Sequence, residues 1–61
     1  VKLKEIILSE SKENRIIAEI YPSGVRIIHE HRISENSAWE CIGLIWLYND
    51  EFEKIVKEIK K

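Results

Sequence analysis

The sequence predicts an α+β fold, a four-stranded antiparallel meander followed by one C-terminal amphipathic helix (ββββα), in a single domain spanning residues 1–61. Three observations predict it. Apolar segments of strand length are separated by short polar or turn-forming stretches. Pro22-Ser23-Gly24 marks a tight reversal between two of them. An uncharged run, Cys41 to Tyr48, leads into a segment with helical periodicity.

The first segment, Leu3 to Ser9, is rich in Ile and Leu and stops at the polar cluster Glu10 to Asn14, which reads as strand then turn. The second, Arg15 to Tyr21, and the third, Val25 to Ile33, flank Pro22-Ser23-Gly24. Proline presets the first corner of a turn and glycine takes left-handed backbone at no steric cost, so a three-residue hairpin loop with a bulge is expected. That loop would pair Tyr21 with Val25, and therefore Ile17 with His29 and Arg15 with His31. Ser34 to Ser37 is a second turn. Trp39 to Tyr48 is β-branched and aromatic and carries no charge after Glu40, which favours a strand over a buried helix.

The last segment reads as a helix capped by Asn49, with Asp50, Glu51 and Glu53 near its positive end and Lys57, Lys60 and Lys61 near its negative end. Phe52, Ile55, Val56 and Ile59 fall on one face, and Glu53 and Lys57 are spaced to pair on the other. Short connections make a meander the simplest topology.

A chain of 61 residues buries only about 60% of its unfolded surface, so its core is marginal without help. Cys41 is the single cysteine, which excludes an intrachain disulfide and a cysteine-rich zinc site. As a regular strand, 41–48 places Cys41, Gly43, Ile45 and Leu47 on one face and Ile42, Leu44, Trp46 and Tyr48 on the other. Both faces are apolar, and one short helix covers only one of them. A homodimer is the favoured cover, ahead of a sheet wrapping its own core and ahead of a partner groove; Ile42, Leu44, Trp46 and Phe52 are its expected interface.

Composition narrows function. Ten basic and eleven acidic side chains give a formal net charge of -1, unlike a duplex-packaging protein. Twelve isoleucines, abundant Lys and Glu, and no glutamine or methionine suit a thermophile. No secretory signal or 20-residue apolar span is present, so a soluble, cytoplasmic chain is expected.

His29 and His31 point the same way from a strand and could share a metal, but no third ligand is set by spacing, and surface histidines are the plainer reading. Cys41 lacks a neighbouring cation and reads as a buried structural thiol rather than a nucleophile. Two distant glycines exclude a phosphate loop. No nucleophile–base–orienter set emerges, so a non-enzymatic chain without cofactor or metal is expected. Nucleic acid is the remaining ligand class. Residues before Ser34 carry six basic and five acidic side chains plus both histidines, whereas those from Ser34 on carry four basic and six acidic. In the register above, Arg15, Tyr21, His29 and His31 share one face of the central hairpin. Arg26 and Arg32 share the other with Ala18, Ile20 and Ile28.

The junction of the fourth strand and the helix resembles the single-stranded-DNA-binding domain of the transcriptional positive cofactor four (Sub-one-like) family. Ile45-Trp46-Leu47 matches that family's Ile-x-Leu step, Phe52 its large aromatic five residues later, and Ile55 its aliphatic three further on. Ile17-Ala18-Glu19-Ile20 is similar to its second-strand pattern. The chain departs from it where Gly43 sits one position early, Ile42 replaces a lysine and Tyr21 replaces a basic residue, losses that affect the nucleic-acid contacts more than the fold. The resemblance implies four antiparallel strands and a helix, a dimer, and single-stranded nucleic-acid binding in transcription or replication. Lys4, Arg15, Arg26 and Arg32 would contact phosphates, with Tyr21, His29 and His31 stacking on bases. The competing expectation is a protein-interaction or assembly module that uses its apolar strand.

Overall fold

A computed structural model describes all 61 residues. Strands β1 (Lys4–Glu10), β2 (Asn14–Tyr21), β3 (Gly24–His31) and β4 (Glu40–Tyr48) form one antiparallel sheet in sequence order, and helix α1 (Asn49–Ile59) follows. The ββββα architecture expected from sequence is the one observed, with strand ends shifted by one or two residues.

The central hairpin departs from expectation. Its loop is two residues, Pro22 and Ser23, and Tyr21 pairs with Gly24, not Val25. Gly24 is the first residue of β3 and no glycine has positive φ. Its lack of a side chain is needed for a different reason. A Cβ there would collide with the Leu47 carbonyl oxygen and sit 2.7 Å from the indole of Trp46. The one-residue shift exchanges partners along the hairpin: Ile16 faces His29, and Asn14 faces His31. Because side chains alternate along a strand, the shift also moves residues between faces.

One face of the sheet is aliphatic. It presents Ile6 and Leu8 from β1, Ala18 and Ile20 from β2, and Val25 and Ile27 from β3, with Phe52 and Asn49 of the helix above them. The other, open face carries Ile17, Glu19 and Tyr21 beside Ile28, Arg26 and Gly24, which continue into Leu44, Trp46 and Tyr48. Bulges break the alternation twice, near Leu8 in β1 and at Ile42 in β4. The second bulge separates two residues expected on one face: Cys41 lies opposite Glu30, whereas Gly43 lies opposite His29. Cys41 is exposed rather than buried, because β4 has no neighbour on its outer side.

Asn49 is the first helical residue and not the cap. Its side-chain amide donates to the Pro22 carbonyl at 2.9 Å, and its backbone N–H donates to Ser23 at 3.2 Å. These bonds tie the helix start to the β2–β3 turn. The Glu51 carboxylate, three residues on from Tyr48, accepts the Tyr48 N–H at 2.9 Å. The expected Glu53–Lys57 pair is absent; an ion pair instead joins Glu58 to Lys61, just past the helix end, at 3.0 Å. No helix is long and apolar enough to cross a membrane.

The core is thin. Ile17, Ala18 and Val25 are the buried hydrophobic residues, and no helical residue is buried. The accessible surface of 4811 Å² exceeds the roughly 4,200 Å² expected of a folded monomer of 7.3 kDa. The radius of gyration, 13.3 Å, likewise exceeds the roughly 10.5 Å of a compact 61-residue domain. The molecule is a slab of 39 × 29 × 16 Å.

Gly24→Ala tests the close approach of β3 and Trp46. Forcing a methyl group into that contact should cost about 1–3 kcal/mol. Urea unfolding followed by tryptophan fluorescence should show the lower midpoint, and an unchanged midpoint would refute the contact.

Candidate functional site

The open face collects most of the chain's aromatic and guanidinium groups. Gly24 makes the centre of the site, since its bare backbone lets the Trp46 indole lie against the sheet. Tyr21 and Tyr48 pair with Gly24 from either side and flank that indole. Ring centroids are 5.6 Å apart for Tyr21–Trp46 and 5.9 Å for Trp46–Tyr48, tilted by 55° and 85°. These are the tilted and edge-to-face arrangements that aromatic quadrupoles favour. Tyr48 is 59% exposed, so one side of the platform meets solvent.

Beside the platform sits a polar network. Glu19 is only 7% exposed and is the one buried charged residue. Its carboxylate accepts from Arg26 Nε at 2.6 Å, from the Tyr21 hydroxyl at 3.2 Å and from Lys2 Nζ at 3.4 Å. Arg26 also donates to the Tyr21 hydroxyl at 3.0 Å. Burial pushes the Glu19 carboxyl upward, but the donors Arg26, Tyr21 and Lys2 together outweigh it and hold the group below its ordinary 4.5. The Arg26 guanidinium is raised, chiefly by its hydrogen bond to Glu19. No buried side-chain polar atom lacks a partner.

A second cluster forms at the far end of the same face. Arg15 Nε donates to Glu30 at 2.6 Å, and the Arg15 guanidinium lies over the Trp39 ring at 4.4 Å. Arg32 lies over the same ring at 4.1 Å. Its own donors go to the carbonyls of Lys12, at 2.6 Å, and Glu35, at 3.3 Å. Arg32 is therefore the arginine of this face with no carboxylate partner.

The residues expected to bind nucleic acid divide between the two faces. Arg15, Tyr21 and Arg26 are on the open face and Arg32 joins them through Trp39. Lys4, His29 and His31 are on the aliphatic face. Both histidines approach the Asn14 side-chain carbonyl, His29 Nε2 at 3.2 Å and His31 Nδ1 at 3.3 Å, so each donates to it. Arg15 is not beside them, because the hairpin register differs from the expected one. No group of three His, Cys, Asp or Glu side chains converges as a metal site would require. The expected oligomer interface divides as well: Leu44 and Trp46 are on the open face, Phe52 over the aliphatic one, and Ile42 in the bulge.

Two features escaped the sequence reading. Trp39 was placed in a strand and assigned no role, yet it holds two arginines. Glu19 stands in the sequence only as one position of a strand pattern, yet it organises Arg26, Tyr21 and Lys2. Comparison with protein-family models, curated proteins and solved structures finds no match to this chain.

The Glu19 network makes a pH prediction. A carboxyl held below its ordinary value stabilises the fold in full above pH 4.5, and that contribution is lost as pH falls through the lowered value. Thermal melts should therefore show the wild type losing stability below pH 4.5 more steeply than Glu19→Gln. Parallel curves for the two proteins would refute the role given to Glu19.

Proposed function

We propose that this chain is a non-enzymatic, dimeric module that binds single-stranded nucleic acid on the open face of its sheet, in the cytoplasm, in transcription or replication. The observation that carries the reading is the Trp46 platform: an indole set against a glycine, flanked by two tyrosines, with arginines at both ends of the face. Proteins that bind single strands stack bases on aromatic rings and use basic groups for phosphates. The resemblance of the β4–α1 junction to the positive cofactor four family points to the same ligand.

The balance of forces differs from that of a strongly basic binder. Arg15 and Arg26 are each held by a carboxylate, Glu30 and Glu19 respectively. Stacking then supplies most of the affinity, and Arg32 is the cation most available to a phosphate. The dimer is supported by the excess surface and by the thin core. The non-enzymatic reading places no chemistry on Cys41, which is exposed and whose thiol donates to the Gly43 carbonyl at 3.5 Å.

A second reading is favoured by a separate observation. A trough of about 330 Å³ opens between the helix and the aliphatic face, lined by Ile6, Leu8, Ala18, Ile20, Val25, Ile27, Asn49 and Phe52. Such a surface suits an apolar segment of a partner protein, as in an assembly module.

Titration of a labelled single-stranded oligonucleotide separates the two. Binding should appear at low salt and quench tryptophan fluorescence. Tyr48→Ala and Trp46→Ala should each weaken it about tenfold, since a base–aromatic stack is worth roughly 1–3 kcal/mol. With one to three phosphates neutralised, log K should fall against log salt with a slope no steeper than about -2, and Arg32→Ala should reduce that slope by about 0.7. No binding at low salt removes this reading and leaves the trough.

A further inference from the structure

The two edges of the sheet are built differently. β1 carries Lys4, Glu5 and Glu10 and a bulge near Leu8, the charges and twist with which sheet edges are guarded against pairing. β4, the opposite edge, has no charged side chain and no proline from Cys41 to Tyr48. Apart from the bond between the Cys41 thiol and the Gly43 carbonyl inside the strand, the backbone of 41–47 bonds to β3 alone. The helix start is tied by Asn49 to the β2–β3 turn, and Phe52 sits over the aliphatic face beside residues of β1, β2 and β3.

The missing neighbour shows in the side chains. Ile27 pairs with Ile45, and Ile28 pairs with Leu44. The two β3 residues are half-buried, whereas Ile45 is 55% and Leu44 57% exposed. Identical chemistry on adjacent strands thus differs in burial across each pair, and only β4 lacks a strand on its outer side.

We propose that a second copy of this chain pairs along the edge of β4, antiparallel across a two-fold axis, so that two sheets become one of eight strands. The proposal rests on the self-association put forward above and names where it occurs. The bulge at Ile42, and the Tyr48 N–H already donated to Glu51, leave Gly43 to Leu47 as the regular span with an unoccupied edge, and its midpoint is Ile45. Two-fold pairing about that midpoint sets Ile45 against Ile45 of the second copy, Leu44 against Trp46, and Gly43 against Leu47. No like charges meet, and a strand's paired residues keep to one face. The open face of each copy then continues into the other, and the two Trp46 platforms lie on one surface, either side of the seam.

The axis makes a test, since the residue at position 45 meets itself. Ile45 is exposed in the single chain, so a charge there leaves the isolated sheet intact, which far-ultraviolet circular dichroism will confirm. Wild-type protein should sediment at twice 7.3 kDa. Ile45→Lys and Ile45→Glu, each alone, should sediment at 7.3 kDa, because like charges oppose across the axis. Mixing the two variants should restore the dimer as a heterodimer. A wild-type chain that is monomeric at high concentration overturns both the edge and the self-association. A wild-type dimer that survives Ile45→Lys, or variants that stay monomeric when mixed, overturns the edge alone.

Discussion

The constraint behind this molecule is geometric: a four-stranded sheet has two faces and two edges, and 61 residues provide one short helix to cover them. The helix reaches only part of one face, and its own apolar stripe, Phe52 to Ile59, remains largely in solvent. Stability must come from the sheet itself. Backbone pairing runs along all three ladders, interrupted at the bulges near Leu8 and at Ile42, and the buried hydrophobic residues Ile17, Ala18 and Val25 all lie in the two central strands, where a neighbour exists on either side. Burial follows the number of neighbouring strands more closely than it follows hydrophobicity. Leu44 and Ile45 are as apolar as any core residue but sit on an edge.

The length of one turn decides how the chemistry is distributed. With a two-residue loop, Gly24 pairs with Tyr21, and the odd-numbered residues of β2 share a face with the even-numbered residues of β3. Arg15, Glu19 and Tyr21 thereby meet Glu30 and Arg26, and every charge in that strip finds an opposite one. A loop longer by one residue would instead join Arg15 to the histidines, send Arg26 to the opposite face and set Glu19 against Ile27. The Glu19 network is a consequence of the register and also a lock on it, since slipping by one residue would bury an unpaired carboxylate.

The element order was legible because it rests on local signals: apolar runs of strand length, a proline at a reversal, and a 3.6-residue stripe after a polar junction. The register and the faces were not. Pro22-Ser23-Gly24 fits both a two-residue and a three-residue loop, and the choice depends on how closely β3 approaches Trp46, a contact 22 residues away in sequence. The bulge at Ile42 has no local signature either, yet it sends Cys41 and Gly43 to opposite faces. Site residues inherit those errors. Tyr21, Arg15 and Arg26 stand out by type, and the observed register, unlike the expected one, brings Arg26 onto the face of the other two. His29, His31 and Lys4 were chosen on the same grounds, and the register places them on the other face. Trp39 carried no periodic signal, because its role is set by two arginines from different segments.

The two faces divide the work. The aliphatic face has almost no polar side chain near the helix, and water gains nothing by staying there. The open face is polar and aromatic but electrically compensated, because Glu19 and Glu30 hold Arg26 and Arg15 in fixed positions. This gives a chain of net charge -1 an open face on which two of the three guanidinium groups are locally neutralised. Ordered guanidinium groups lose little side-chain freedom when a ligand arrives, and a rigid indole platform loses less still. Long-range attraction to a polyanion is correspondingly weak, and a ligand of the proposed kind would be held chiefly by stacking.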